Sequence, residues 1–278
     1  MDTLVTTEWL ARNLGEPDLA IVDSSAFMPA DGRDPAAEFM AAHIRGARFL
    51  DINQVADRSN PAPHMLPSAG EFAAAMTGLG VGSSDRIVVY DNSPLRTAAR
   101  GWFMFRHFGA ERVAILDGGL QKWLSEGRPI ESGEAQKRKA RFEARELDRE
   151  VVSKNDLPGI GIPILDARGG ARFEGSEADP RPNVAAGHIP GAKNLPFASL
   201  YREDGTLKPD EELRAAFDAL KIDPAQPFVA SCGSGVTANS IIFAAHRLGG
   251  RRGKLYDGSW SEWGADPATP KETGPARG

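Results

Sequence analysis

Short unbroken apolar runs alternate along this chain with longer stretches in which apolar residues recur every three or four positions. LAIVD (19–23), RIVVY (86–90) and VAIL (113–116) are of the first kind. EFAAAMTGLG (71–80) and AARGWFMFRHFG (98–109) are of the second. Apolar runs of this length, bounded by turn residues, read as buried strands, and the three-to-four period reads as amphipathic helix. The alternation returns later with IPILD (162–166), EELRAAFDALK (211–221), PFVAS (227–231) and TANSIIFAAHRLG (237–249). Strands buried on both faces and separated by helices predict an α/β fold built on mostly parallel sheets flanked by helices.

The two halves of the pattern are copies of one another. HIRGARFLDI, from His43, matches HIPGAKNLPF, from His188; IVDSSAF matches ILDARGG; ILDGGLQKW matches LYDGSWSEW. The paired positions His43/His188, Asp23/Asp166 and Asp117/Asp257 are offset by 145, 143 and 140 residues. Three matches in one order at nearly one offset define two α/β units of ordinary domain size. The first is assigned to residues 1–135 and the second to 151–278. Residues 136–150, from a segment dense in Lys, Arg and Glu, read as a solvated charged linker.

Composition narrows the function classes. The 278 residues are 41% hydrophobic and 26% charged, the balance of a soluble globular protein. A net charge of −5 argues against a nucleic-acid binder, which would carry a basic excess. No stretch approaches the roughly 20 apolar residues needed to span a bilayer. The N-terminus runs into a helix-like and then a strand-like pattern, without the basic and apolar regions of a secretory signal.

One cysteine, Cys232, occurs in the whole chain. It excludes an internal disulfide and a site of several thiolates, and a single free thiol suits a reducing compartment, hence the cytoplasm. Cys232 stands between the predicted strand PFVAS and the predicted helix TANSIIFAAHRLG, in the turn Cys-Gly-Ser-Gly-Val. Sites in open α/β sheets form at this carboxyl edge. The glycines let successive N–H groups of residues 233–237 converge, and the helix adds its N-terminal dipole, so a thiolate or an anion on its sulfur is stabilised there. The competing readings are a structural cysteine in a tight turn and a phosphatase loop. The phosphatase loop requires an arginine six residues on, where this chain has Ala238.

The CGSGVTA loop, the repeated halves, HIPGA and the Asp-Gly-Ser-Trp-x-x-Trp ending resemble the tandem rhodanese-domain sulfurtransferases, most of all those acting on 3-mercaptopyruvate. Relatives that prefer thiosulfate carry basic residues after the cysteine, where this chain has Gly233 and Ser234. Thiosulfate is a dianion and wants local cations; mercaptopyruvate carries its charge on a remote carboxylate.

The resemblance implies sulfur transfer from 3-mercaptopyruvate, through a persulfide on Cys232, to thioredoxin, another thiol or cyanide, with release of pyruvate. It implies no metal and no organic cofactor. The alternatives are a thiosulfate sulfurtransferase and a non-enzymatic persulfide carrier. The family's substrate-binding arginines match Arg172 and Arg181, whose planar forks suit a carboxylate. Its serine–histidine–acid arrangement matches Ser234 and His64. The acid position falls on Asn53, two residues after Asp51, which is a departure from the family pattern. The N-terminal half has Asp91 where the other has Cys232, so it is expected to supply structure and one wall of a cleft between the halves, including His64. His43 and His188, present in both copies, read as structural, and Trp102, Trp123, Trp260 and Trp263 as packing residues.

Overall fold

The computed structural model describes residues 1–136, 138–147 and 150–276. It divides into two compact units: Met1–Asp57, Leu66–Leu147 and Arg202–Leu207 form the first, and Arg58–Met65, Asp148–Tyr201 and Lys208–Gly278 the second. Each unit thus takes a short segment from the opposite half of the chain, which the repeat alone does not reveal.

In the first unit, β1 (Leu4–Val5), β2 (Leu19–Asp23), β4 (Ala47–Phe49), β5 (Arg86–Tyr90) and β6 (Val113–Leu116) form one parallel sheet in the order β1-β6-β5-β2-β4. A two-residue strand β3 (His43–Ile44) pairs antiparallel with β7 (Ile130–Glu131). In the second unit, β8 (Val151–Val152), β9 (Ile164–Asp166), β10 (Lys193–Asn194), β11 (Phe228–Ser231) and β12 (Gly253–Tyr256) repeat the parallel sheet in the corresponding order β8-β12-β11-β9-β10. The α/β architecture read from the apolar runs is therefore correct. β1 and β8 went unread because two residues carry no periodicity.

The helices begin and end where local chemistry directs. The helix Ala69–Leu79 is capped by Ser68, whose hydroxyl accepts from the Glu71 N–H while the Glu71 carboxylate accepts from the Ser68 N–H. Gly80, at φ +73°, stops it in the left-handed region. The predicted helices at 98–109, 211–221 and 237–249 appear as Ala98–His107, Asp210–Asp218 and Ala238–Arg247. Trp123 is fully buried in the core of the first unit, and Trp260 and Trp263 in that of the second.

Residues 138–147 of the charged segment keep most of their side chains exposed or half-buried but are held on the first unit at particular points; Lys137, Asp148 and Arg149 lie outside the described residues. Arg138 makes a bidentate pair with the buried carboxylate of Asp85, at 2.6 and 2.7 Å. Phe142 is buried against Phe72 and Phe105, and its N–H donates to the Thr77 hydroxyl at 3.0 Å. Arg145 and Leu147 donate backbone bonds to Phe108 and His107. Charge density concealed one apolar anchor, and the segment is a strap on the first unit.

The paired aspartates of β2 and β9 are neutralised differently. Asp166 is buried with Arg168, which grips it through Nη2 at 2.6 Å and Nε at 3.1 Å. Asp23 is held by Ser25, whose N–H and hydroxyl both donate to it, and by a bond from Tyr90. Burial therefore dominates, and the Asp23 carboxyl is pushed up to about 6. Folding then retains a proton that the unfolded chain, titrating near 3.9, gives up. The stabilisation from this group is full below about pH 4 and is lost as pH rises through about 6. Urea unfolding between pH 4 and 7 should show Asp23→Asn gaining on the wild type as pH rises, by about 2–3 kcal/mol in all. A difference that stays flat across this range would contradict the assignment.

Candidate active site

Cys232 is the first residue after the central strand β11, and the helix Ala238–Arg247 begins six residues later. Strand geometry fixes where the thiol emerges, and the Gly-Ser-Gly turn fixes how the chain folds back beneath it. The side chain is buried, 1% exposed. Below the loop lies Ser259, which the sequence did not single out. Its hydroxyl accepts from the N–H of Cys232 at 3.0 Å and of Gly235 at 3.1 Å, donates to the Tyr256 carbonyl at 2.8 Å, and lies 3.9 Å from the Cys232 sulfur. The carbonyls of Cys232 and Gly233 accept from the N–H groups of Trp260 and Ser261. Two of the loop's N–H groups and two of its carbonyls are thus tied to the first three residues of the helix Ser259–Trp263. The cradle expected of residues 233–237 has its Gly235 N–H already engaged by Ser259; Gly233, Ser234, Val236 and Thr237 are the remaining members.

Ser259 adopts φ +50°, where the first unit has Gly119 at φ +58° in the matching Asp-Gly-Gly. A serine held in the left-handed region carries strain that its neighbours must offset, and its two bonds to the loop do so. Gly235, at φ +73°, has no room for a side chain: a Cβ there would lie 2.5 Å from the Asp257 carbonyl oxygen and 2.6 Å from its Oδ1. Gly235→Ala should displace the loop and lower sulfur-transfer turnover by more than about tenfold, over 1.4 kcal/mol of transition-state stabilisation. Steady-state kinetics together with a thermal melt check this, and turnover within threefold of wild type would refute it.

Both arginines reach the loop. Arg172 lies in the helix Gly170–Glu174 and Arg181 in the loop that follows. A Cβ built on Gly233 would sit 3.3 Å from Nη1 and Nη2 of Arg181 and 3.5 Å from Nη2 of Arg172. The guanidinium groups therefore hang over the residue next to the thiol. They converge because Asp179 holds both: Oδ2 accepts from Arg172 Nη2 at 2.6 Å, and Oδ1 accepts from Arg181 Nη1 and from its backbone N–H, each at 3.0 Å. Burial works to raise the Asp179 carboxyl; the Arg181 N–H and the two guanidinium groups outweigh it and hold it below its ordinary value. The Arg172 Nε is buried and has no hydrogen-bond partner among the described residues.

His64 contacts Ser234: its Nδ1 lies 2.9 Å from the hydroxyl. It does so from the segment Arg58–Met65, part of the second unit despite its place in the first half of the chain, and at φ +63°. Asn53 lies in the first unit, in a turn organised by Asp51, whose Oδ1 accepts from the N–H groups of Asn53 and Gln54 at 2.9 and 3.2 Å. Asp51, the nearest carboxylate in sequence to the departed acid position, thus caps its own turn.

The paired histidines follow one structural plan. His43 stacks on Phe39 at 3.9 Å between ring centroids and has Nδ1 at 2.7 Å from the Phe39 carbonyl; His188 stacks on Phe173 at 3.7 Å with Nδ1 at 2.8 Å from the Phe173 carbonyl. Their Nε2 atoms face Glu131 and Glu272 at 3.4 and 3.8 Å. In the first unit Asp91 occupies the post-strand position, and its carboxylate accepts from the N–H groups of Ser93 at 2.9 Å and Ala98 at 2.6 Å. Burial raises this carboxyl above its ordinary value against the pull of those two N–H groups. Among the described residues no group of three or more His, Cys, Asp or Glu side chains could hold a metal ion, and no helix is long and apolar enough to cross a membrane.

A repeated five-stranded parallel unit, with one cysteine-bearing loop beneath a pair of arginines, belongs to a known class of protein. The rhodanese-like domain family matches residues 6–126 and 144–266, and the chain is a member of the tandem rhodanese-domain sulfurtransferases. It is 41% identical over 271 residues to the human 3-mercaptopyruvate sulfurtransferase, covering 94% of this chain and 91% of that one. It is 40% identical over 297 residues to the mitochondrial thiosulfate/3-mercaptopyruvate sulfurtransferase 1 of Arabidopsis thaliana, covering 98% of this chain and 78% of that one. Its fold matches the crystal structure of the 3-mercaptopyruvate enzyme SseA from Escherichia coli, with a TM-score of 0.85, 38% identity, and coverage of 94% of this chain and all of that one.

Proposed function

We propose that this sulfurtransferase takes sulfur from 3-mercaptopyruvate and passes it, through a persulfide on Cys232, to a thiol such as thioredoxin or to cyanide. The observation that carries this reading is the pair of guanidinium groups over Gly233, one residue from the thiol. A bidentate cationic grip beside a sulfur nucleophile suits a substrate with a carboxylate at one end and a thiol at the other. The neutral Gly233 and Ser234 disfavour a dianionic donor held next to the sulfur.

The Cys232 thiolate attacks the substrate sulfur, whose bond to carbon breaks with the electron pair passing to that carbon. The resulting pyruvate enolate takes a proton at C3, and Cys232 holds the outer sulfur as a persulfide. A thiolate acceptor then attacks the outer sulfur, forming its own persulfide and restoring the Cys232 thiolate. This is covalent catalysis with a ping-pong pattern. Arg172 and Arg181 orient the donor, and orientation contributes several kcal/mol to lowering the barrier. The Ser234–His64 pair, at 2.9 Å, is suited to polarise the keto oxygen and to carry the proton from sulfur to carbon. A single free thiol fits the cytoplasm as the working compartment.

Intact mass spectrometry after addition of 3-mercaptopyruvate, with pyruvate measured in parallel, tests the reading. One added sulfur on Cys232 and one pyruvate per chain are expected. A persulfide that forms only from thiosulfate would favour the thiosulfate enzyme, and one that forms only from a partner protein would favour a carrier.

A further inference from the structure

Among the described residues Asp179 is the carboxylate that both clamp arginines share, and its side chain is 1% exposed against 21% and 23% for theirs. Two guanidinium groups and one carboxylate leave a single net positive charge above Gly233. Without Asp179 the same two cations would repel one another within a few ångströms and would present a double charge to the donor. From this arrangement we infer that Asp179 is a specificity-determining residue, which trims the clamp to one net charge and so matches it to monoanionic donors over dianionic ones. The inference rests on the proposed use of Arg172 and Arg181 as the carboxylate grip.

Three features of the site support a charge-setting role beyond simple packing. Asp179 bonds one nitrogen of each guanidinium group, leaving the rest of each fork for a substrate, and the Arg172 Nε is buried without a partner among the described residues. The Arg181 N–H anchors the same carboxylate, so its position is fixed by the backbone and does not depend on the arginines alone. It remains ionised, since its neighbours hold it below the ordinary carboxylate range despite burial. At such short range in a partly buried site, one unit of charge discriminates strongly between a monoanion and a dianion.

The test compares kcat/KM for thiosulfate and for 3-mercaptopyruvate in the wild type, Asp179→Asn and Asp179→Glu. Asparagine keeps the shape and the turn but raises the clamp to two net charges, and it should raise the thiosulfate-to-mercaptopyruvate ratio by about tenfold or more. Glutamate keeps the charge and should hold the ratio within about threefold of wild type. Equal losses for both donors in Asp179→Asn would overturn the inference, because a merely structural residue harms both alike. A wild type that does not turn over 3-mercaptopyruvate would instead overturn the proposed function. Should Asp179→Asn fail to fold, inhibition of the wild type by pyruvate and by oxalate decides: the planar dianion oxalate should bind no tighter than pyruvate, and a tenfold preference for oxalate would overturn the charge argument.

Discussion

Replacing Cys232 by serine is expected to abolish sulfur transfer from every donor while leaving the fold intact. The substitution is nearly isosteric, and the bonds that shape the loop run through the backbone of Cys232 and the hydroxyl of Ser259. A serine oxygen cannot form a persulfide, so no part of the two-step exchange survives. Circular dichroism and thermal melts should match the wild type, and intact mass spectrometry should find no added sulfur. Retained turnover with 3-mercaptopyruvate would end the covalent mechanism, since this is the only cysteine in the chain.

Removing the clamp should give the next largest effect. Arg172→Ala and Arg181→Ala each delete charge-assisted hydrogen bonds, which contribute about 1.5–3 kcal/mol apiece. A loss of roughly ten- to a hundredfold in kcat/KM for 3-mercaptopyruvate is expected from each. The two effects should not add, because each mutation also leaves Asp179 with one partner fewer and lets the remaining guanidinium shift. A fall in kcat/KM with kcat also reduced would mean that the clamp acts in the transition state; a rise in KM alone would mean uniform binding. Normal kinetics in both variants would show that the carboxylate is gripped elsewhere.

The strands that end in Asp23, Asp166 and Ser231 were readable because each is a continuous apolar run bounded by polar turn residues, and the repeat matches each one to its copy. The site was readable in part. Cys232 and Ser234 stand in a glycine turn between a strand and a helix, which physical chemistry alone marks as an anion-stabilising position. Arg172, Arg181 and His64 came through resemblance, since nothing in their immediate sequence separates a clamp or a relay from surface charge. Asp179 and Ser259 were missed, although each left a signal. Asp179 lies between the two arginines and two residues before the second, and Ser259 is the serine of Asp-Gly-Ser where the first copy has Asp-Gly-Gly. A residue with a side chain where the duplicate has a left-handed glycine is accepting strain, and a bond to its hydroxyl is the natural reason. The anchoring of the charged segment at Phe142 was hidden because one aromatic among many charges leaves no periodic pattern.

Asp91 gives the two halves of the chain different occupants after the central strand. In the first unit a carboxyl group is covalently part of the protein, and it is bonded by the Ala98 and Ser93 N–H groups whether or not any donor is present. That loop is permanently saturated, so its share of folding energy does not vary with turnover. On the proposed mechanism the corresponding place in the second unit is filled by the Cys232 sulfur, then by its persulfide, then by the free sulfur again. Only there can the state of the catalytic cycle alter how firmly the loop is held, by the ordinary linkage between ligation and stability. On the proposed mechanism the duplication separates a constant half from a cycling one: one copy is a scaffold with its carboxyl group built in, and the other an exchangeable holder whose rigidity follows its cargo.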